Sequence, residues 1–385
     1  MSNITFTPRG ASVGSSDQPI IHVSLELGHK NWLVTSLPPG SEKMSKYIVS
    51  GGDSKALLEL LSRLVARAGV RVAGSPRAIV IQEAGLDGFW IHRVLENAGV
   101  ESWLVDPASV AVARRHRRVK TDKIDGEALI RVLMAFKRGE PRVCAMVVPP
   151  SPADEDRRRI GRERGALLRA RIQETNRITG LLLAQGIRDD RPLEKNRREK
   201  LENLRTGDGR ELPLHLRNEI ARGLDRLDLI LSQLEAVEAA RASAAKEAGE
   251  CSPVNVLVRL KAIGPTLANI LWTEALYRTF ENRRQLASYA GLTPTPWRSG
   301  TIDREQGISK AGNARLRSAL IESAWLWVRW QPTSALSRWF ASRVADRSGR
   351  ARKTMIVALA RKLLIALWRF CREGIIPEGA VVSPA

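Results

Sequence analysis

The first regular segment of the chain reads IIHVSLEL over residues 20–27. Its hydrophobic residues alternate with polar ones, and this period of two predicts a strand with one face in a core. Two further strand-like segments follow, WLVTSL at 32–37 and KYIVS at 46–50. The apolar run AIVIQE at 78–83 is typical of a buried parallel strand. We therefore expect an antiparallel meander of three strands with a parallel strand after it.

Helices separate the later strands of this region. Leu57, Leu58, Leu61 and Val65 have helical spacing, a second helix covers 89–98, and ESWLVD at 101–106 is the next strand. The order of three strands, helix, strand, helix, strand and helix predicts a ribonuclease-H-like α/β domain. The proline-rich segment VPPSP at 148–152 marks a linker, so the first domain is placed at 1–148.

The rest of the chain is predicted to be mainly helical, with a boundary near residue 250. Residues 149–250 are highly charged and contain a heptad-like leucine seam. The seam consists of Leu224, Leu227, Leu231 and Leu234. It suits a coiled-coil-like antiparallel pair or a dimer contact, and two helices packed within one monomer are an equal alternative. In residues 251–385, Ile263-Gly264-Pro265 predicts a helix-hairpin-helix-like turn, and 355–370 predicts a core helix.

A large positive charge dominates the composition. The 385 residues carry a net charge of +21, which favours nucleic acid as a partner, because neutralised phosphates release counterions. A membrane surface is the other polyanion to consider, but no segment predicts a signal peptide or a membrane span, and we expect no membrane partner. Cys144, Cys251 and Cys371 show neither metal spacing nor a disulfide framework, which fits a reducing cytoplasm.

Four carboxylates form the candidate chemical site. Glu26 and Glu83 each end an apolar run, and Asp122 and Asp125 lie three residues apart at a predicted helix start. Hard divalent cations prefer oxygen ligands of this kind, and two such ions could assist phosphoryl transfer. Each residue also has an alternative role. The aspartates could favour a helix N-terminus, Glu83 could pair with Arg118 or another nearby arginine, and Glu26 could be exposed on an edge strand.

Six segments of the chain resemble the DEDD transposases of the insertion-sequence one-ten family. Those around the carboxylates are LELG at 25–28, IQEAG at 81–85 and KTDKID at 120–125. Those in the C-terminal half are AGLTP at 290–294, WRSG at 297–300 and ISKAGN at 308–313. The resemblance covers roughly residues 20–375, and the motifs are specific as an ordered set although each is weak alone.

The resemblance implies a RuvC-like catalytic domain, a helical insertion and a C-terminal transposase domain with a nucleophilic serine. The family's four acidic positions map onto Glu26, Glu83, Asp122 and Asp125, which would bind Mg²⁺ or Mn²⁺. Its serine maps onto Ser299. The family usually has aspartate at the first acidic position, where this chain has glutamate. The resemblance also implies a homo-oligomer, a dimer or tetramer, and a guide RNA encoded beside the gene.

Basic residues accompany both sets of motifs. Those before the aspartates are Arg114, Arg115, Arg117, Arg118 and Lys120, and those in the C-terminal half are Lys310 and Arg315. Individually, such residues are often only solvated charges. Together they suit contact with a phosphate backbone rather than the reading of bases, and we predict that they bind nucleic acid.

These observations predict a DNA transposase or site-specific recombinase of the bacterial cytoplasm, associated with the nucleoid. It would cut and rejoin double-stranded donor and target DNA for insertion and excision of a mobile element. One alternative is a RuvC-like structure-specific endonuclease of the Holliday-junction resolvase type, which uses water instead of Ser299; Arg-Ser-Gly by itself is an ordinary turn sequence. The other is a non-catalytic nucleic-acid-binding protein, an alternative that the unusual Glu26 keeps open.

Overall fold

The structure is a computed structural model that describes residues 18–72, 74–85, 88–110, 122–141, 143–189, 191–300, 302–345 and 349–383. The chain divides into two compact units, residues 1–149 and 150–385. The two regions that the sequence separates near residue 250 both fall within the second unit. Each unit has hydrophobic clusters of its own.

The first unit is built on a five-stranded mixed sheet. Its strands are β1 (Ile20–Leu27), β2 (Asn31–Leu37), β3 (Ser45–Ser50), β4 (Arg77–Glu83) and β5 (Glu101–Val105). Their spatial order is β3-β2-β1-β4-β5. The first three strands are antiparallel neighbours, whereas β4 pairs in parallel with both β1 and β5. The predicted meander and the predicted later strands are confirmed.

Helices cover both faces of this sheet. They are α1 (Ser54–Gly69), α2 (Trp90–Asn97) and α3 (Asp122–Lys137), with a 3-10 turn at Pro107–Ser109. The alternation in β1 explains their placement, because Val23 and Leu25 pack in one cluster with α1 and α2. The opposite face packs against Leu129 and Leu133 of α3. The predicted mixed α/β architecture of this region is confirmed.

A long antiparallel helical pair begins the second unit. It consists of α4 (Pro152–Leu183) and α6 (Leu214–Glu247), with the short α5 (Arg197–Asn203) between them. Arg177 pairs with Glu219 at 2.7 Å, and Arg164 pairs with Glu238. The end of α4 therefore lies beside the start of α6, and the start of α4 beside the end of α6.

The leucine seam of α6 packs within the chain. Leu224 and Leu227 are buried in one cluster with Ile178 and Leu182 of α4. Burial of these side chains removes apolar surface from water without a second copy of the chain. Of the alternatives left by the sequence, the structure supports two packed helices in one monomer.

Short helices and one hairpin complete the second unit. They are α7 (Pro253–Val258), α8 (Pro265–Leu271), a π-helical turn (Trp272–Leu276), α9 (Arg283–Tyr289), β6 (Pro294–Ser299), β7 (Ile302–Ile308), α10 (Ala314–Trp330), α11 (Ala335–Val344) and α12 (Gly349–Glu373). Gly264 caps α8, which confirms the predicted turn between two helices. Leu363 and Leu367 are fully buried and confirm the predicted core helix. The hairpin of β6 and β7 was not predicted. Across the described residues, every helix is too short or too polar to cross a bilayer.

Candidate functional site

The two glutamates lie at the carboxyl ends of neighbouring parallel strands. The register pairs Leu25 of β1 with Gln82 of β4, so Glu26 and Glu83 are the next residues on the two strands. Glu26 is half-buried and Glu83 is exposed. In open α/β sheets, functional groups gather at such strand ends. The glutamates and the first turn of α3 are here termed the carboxylate edge.

Both glutamates lie on the face of the sheet that α3 covers. Ser24, two residues before Glu26, donates a hydrogen bond from Oγ to the carbonyl oxygen of Gly126 in α3 at 2.8 Å. Ile81, two residues before Glu83, packs in the cluster that includes α3. Because residues two apart on a strand share a face, the glutamates and α3 are on the same side of the sheet.

The first turn of α3 rests directly on the sheet. A Cβ at Gly126 would lie 2.8 Å from Oγ1 of the buried Thr35, so glycine permits an approach that any side chain would prevent. Asp125 is the neighbour of this glycine and is half-buried. The helix starts at Asp122, which confirms that both aspartates lie at a helix start. The side chain of Asp122 is outside the described part of the structure.

The donor chemistry of the carboxylate edge fits a hard divalent cation. Carboxylate oxygens are the ligands that Mg²⁺ prefers, and three segments of the chain bring them to one end of the sheet. Among the described side chains, which do not include Asp122, no three acidic, histidine or cysteine groups could hold a metal ion. Metal binding therefore stays a prediction, as does the consequence of glutamate at position 26.

The predicted nucleic-acid-binding residues fall into two groups. Arg114, Arg115, Arg117, Arg118 and Lys120 lie outside the described residues. Lys310 is exposed and has a left-handed φ of +58°, which is uncommon for a non-glycine residue. Arg315 is half-buried and donates a hydrogen bond to the carbonyl oxygen of Gly161 in α4. Lys310 is thus open to solvent, whereas Arg315 is partly engaged within the protein.

Ser299 ends β6 at the tip of the hairpin. It pairs with Ile302 of β7 across a two-residue connection. Gly300, the first residue of that connection, has a φ of +59°, a left-handed conformation that glycine adopts without steric cost. The serine therefore precedes a tight turn, although its own side chain is not described. Strands β6 and β7 with their connection are here termed the serine hairpin.

The AGLTP and ISKAGN motifs meet at the base of the serine hairpin. The N–H of Ser309 donates to the carbonyl oxygen of Thr293 at 2.9 Å, and the N–H of Asn313 donates to that of Tyr289 at 2.8 Å. These bonds join the segment before the hairpin to the segment after it. The two sequence motifs therefore lie side by side at the base of the hairpin, one before β6 and one after β7.

Two glycines make this close contact between the two motifs possible. A Cβ at Gly291 would lie 2.0 Å from the carbonyl oxygen of Ala311, and one at Gly312 would lie 2.3 Å from that of Tyr289. Both glycines have a left-handed φ, +65° and +87° respectively. Contact this close between two backbones leaves no room for a side chain, which gives the glycines of both motifs a structural role.

A buried carboxylate, Glu274 of the π-helical turn, also holds the base of the serine hairpin in position. Its side chain is 2% exposed. It accepts hydrogen bonds from Nδ2 of Asn313 at 3.0 Å and from Arg158 of α4 at 3.1 Å, and Arg162 pairs with it at 3.4 Å. The hydroxyl of Tyr289 donates to the carbonyl oxygen of Glu274 at 2.7 Å. One residue thus joins α4 to both ends of the hairpin segment.

Glu274 is held as an anion. Burial is the largest influence on its pKa and raises it, but the hydrogen bond from Asn313 and the charges of Arg158 and Arg162 outweigh burial and bring the pKa below its ordinary value. A role for this residue was not predicted from the sequence. The signal that was present is a lone acid within the otherwise apolar and aromatic run ILWTEALY at 270–277, where an unpaired carboxylate would be costly.

Comparison with known proteins adds an independent observation. Residues 254–338, which include the serine hairpin, match the model of the Transposase IS116/IS110/IS902 family. "Putative transposase y4rJ" of Sinorhizobium fredii is 54% identical over 378 residues, 95% of this chain and 96% of the relative. The transposase for insertion sequence element IS1328 of Yersinia enterocolitica is 24% identical over 79% of this chain and 86% of its own. The pilin gene-inverting protein of Moraxella bovis is 32% identical over 32% of this chain and 40% of its own.

Proposed function

Because the chain belongs to the IS116/IS110/IS902 family of transposases, we propose that it cuts and rejoins DNA through Ser299 with help from the carboxylate edge. Family membership supports transposase activity in general and DNA as a partner. We propose, beyond family membership, that serine is the nucleophile, that the reaction depends on a metal ion and that the cut DNA is rejoined. Rejoining would insert or excise a mobile element without an external energy source.

The observation that carries the proposal is the parallel pairing of β1 with β4. It puts Glu26 and Glu83 side by side on the sheet face that α3 covers. The sheet order and the antiparallel meander support a RuvC-like, ribonuclease-H-like fold for this unit. With Asp122 and Asp125, the glutamates would hold Mg²⁺ or Mn²⁺, which when bound stabilises negative charge on phosphoryl oxygens.

The proposed cleavage step is a transesterification at one phosphodiester. Oγ of Ser299 forms a bond to phosphorus while the bond from phosphorus to one deoxyribose oxygen breaks. The serine hydroxyl loses one proton, and the leaving deoxyribose oxygen gains one. Rejoining reverses the exchange, because a deoxyribose hydroxyl of another strand displaces Ser299 and the serine regains its proton. The number of phosphoester bonds is unchanged.

Three further features belong to the proposal. The resemblance supports a homo-oligomer, a dimer or tetramer, in which the carboxylate edge and Ser299 act on the same phosphodiester. It also supports guidance by an RNA encoded beside the gene. The Moraxella bovis relative is named for inverting a gene, and inversion of a DNA segment requires rejoining as well as cutting, as proposed for this chain.

A strand-cleavage assay tests the proposal. The full chain with its copurifying RNA is incubated with magnesium and nicked DNA from the borders of its gene. We expect wild-type protein to form a protein–DNA adduct that survives denaturant. Ser299→Ala should form none, and Asp125→Asn should lose both cleavage and adduct. Ser309→Ala is the matched control and should form the adduct, because it changes another serine next to the same hairpin.

The other outcomes separate the alternatives. Metal-dependent cleavage that survives Ser299→Ala and leaves no adduct would support a RuvC-like endonuclease that uses water. Tight nucleic-acid binding with no cleavage under any condition would support a non-catalytic binding protein. Either result would overturn the proposed serine chemistry.

A further inference from the structure

A cavity of about 460 Å³ opens among four helices of the second unit, and its lining residues belong to these helices rather than to the serine hairpin. Helices α4, α6, α8 and α10 all contribute to its walls. Four of its lining residues are arginines. They are Arg164, Arg169, Arg241 and Arg315. Roughly 300–1,000 Å³ is the usual size of a small-ligand pocket, so this cavity can admit one or two phosphate groups.

Two glycines of α4 form the floor of this arginine pocket. A Cβ at Gly161 would lie 3.2 Å from a terminal nitrogen of Arg315, and one at Gly165 would lie 3.7 Å from terminal nitrogens of Arg169 and Arg315. Glycine inside a helix costs about 1 kcal/mol relative to alanine. The glycines let guanidinium groups lie against the helix backbone, so the pocket is concave because side chains are absent from its floor.

The arginines outnumber the carboxylates that reach them. Glu238 pairs with both Arg164 and Arg241, and Glu274 lies 3.9 Å from Arg315. Within the described part of the chain, Arg169 has no carboxylate within ion-pairing distance. Four cationic side chains thus face one cavity with two anionic neighbours, and an anion in the cavity would relieve their repulsion.

The titration behaviour of the arginines agrees with this excess of positive charge. Burial lowers the pKa of Arg315 most strongly; Glu274 opposes this effect, and neighbouring arginines, including Arg164 and Arg169, lower the pKa further. Burial also lowers the pKa of Arg241, which Arg164 lowers again against the opposing effect of Glu238. At both groups, burial and neighbouring arginines together outweigh the effect of the nearby carboxylate on the pKa.

We propose that the arginine pocket binds a phosphate of a nucleic-acid backbone. The inference rests on the proposed function, in which this chain acts on nucleic acid. Guanidinium groups match phosphate oxygens through paired hydrogen bonds. The hydroxyls of Thr266 and Ser318 also line the cavity and add donors. Such a contact holds a strand in position without reading its bases, and DNA and RNA share this chemistry.

Two variants separate a pocket from general attraction to a basic surface. Arg169→Gln removes the exposed arginine that has no carboxylate partner. Gly165→Leu fills the cavity and leaves every charge in place. Arg171→Gln is the matched charge control, because it changes α4 two residues further on, about 200° around the helix from Arg169. Gly180→Leu is the matched steric control, because it adds the same side chain to an exposed glycine of α4 whose Cβ would meet nothing within 4 Å.

Binding of labelled RNA and of duplex DNA is measured by fluorescence anisotropy at several salt concentrations. EDTA is present, so the result does not depend on Ser299 chemistry. We expect Arg169→Gln and Gly165→Leu to weaken binding several-fold. Loss of one phosphate contact should reduce the slope of log affinity against log salt by about 0.9 for duplex DNA or about 0.7 for a single strand. The two control variants should bind as wild type does.

The comparison of probes identifies the source of the phosphate. Weakening with RNA alone assigns the pocket to the RNA, weakening with DNA alone assigns it to DNA, and either supports the proposal. Inorganic pyrophosphate should compete with the nucleic acid in wild type and not in Gly165→Leu. Normal binding by Gly165→Leu, or equal losses in Arg169→Gln and Arg171→Gln, would overturn the pocket, even if the serine adduct forms.

Discussion

The carboxylate edge and the serine hairpin hold their functional groups by different physical means. The edge lies on a sheet whose strands are fixed by a buried core, and glycine at position 126 lets α3 approach the backbone. The hairpin has only two strands, and its position depends on two glycines and the buried Glu274 at its base. Steric changes should therefore disturb both sites, whereas loss of one buried charge should disturb the hairpin.

The largest expected effect is at the base of the hairpin. Glu274→Gln leaves the largely buried guanidinium of Arg158 without its anion, and breaking a buried ion pair costs about 3–5 kcal/mol. Urea unfolding followed by tryptophan fluorescence measures the change, since most tryptophans belong to the second unit. Glu373→Gln is the control, because it removes only an exposed pair with Arg369. A loss no larger than that of the control would contradict the role given to Glu274.

Glu274 should also make the stability of the protein depend on pH. The pKa of Glu274 is lower in the folded protein than its ordinary value of 4.5, so the unfolded chain binds the proton more readily. This contribution is fully present above pH 4.5 and is lost as the pH falls through the folded-state value. Unfolding midpoints measured from pH 6 downward should fall more steeply for wild type than for Glu274→Gln. Parallel curves would show that the carboxylate makes no such contribution.

The next effect concerns the carboxylate edge. Gly126→Ala puts a Cβ against buried Thr35, and overpacking of this kind costs about 1–3 kcal/mol. Because α3 must move away from the sheet, cleavage of DNA should slow as well. Gly165→Ala in α4 should instead stabilise the protein by up to about 1 kcal/mol, because alanine favours a helix interior more than glycine does. Equal effects of the two alanines, measured by thermal unfolding, would contradict the close approach of α3.

The smallest effect concerns Lys310 at the edge of the hairpin base. Lys310→Gly relieves a left-handed backbone conformation and should stabilise the chain by about 1 kcal/mol. It should also reduce the salt dependence of nucleic-acid binding, because one cationic group is lost. Lys310→Ala loses the same charge and keeps the strained backbone. Equal stability of the two variants would show that the conformation at this position carries no strain.

Much of the carboxylate edge could be predicted because its signals are local. Alternation in β1 identifies a strand, the run in β4 identifies a buried neighbour, and the spacing of Asp122 and Asp125 identifies a helix start. Which residues lie side by side depends on register, which becomes visible only through pairing. The leucine seam shows the same limit. Its spacing is the same whether the partner helix belongs to the same chain or to another.

The serine hairpin could not be predicted by such local signals. Strand β6 contains two prolines and β7 is mostly polar, so neither shows the usual pattern of a strand. Their arrangement depends on contacts that are distant in sequence. Glu274 is 116 residues from Arg158 and 39 from Asn313. The sequence motifs located the serine and the glycines, but not the buried carboxylate that holds them.

Mass spectrometry of the protein–DNA adduct would identify the residue that attacks the phosphodiester. Wild-type adduct is trapped with magnesium, digested with nuclease and protease, and searched for a peptide that carries a nucleotide. We expect the modified residue to be Ser299, and Glu26→Gln or Asp125→Asn to yield far less of the peptide. Attachment to any other residue, or DNA cleaved without a modified peptide, would contradict the serine mechanism.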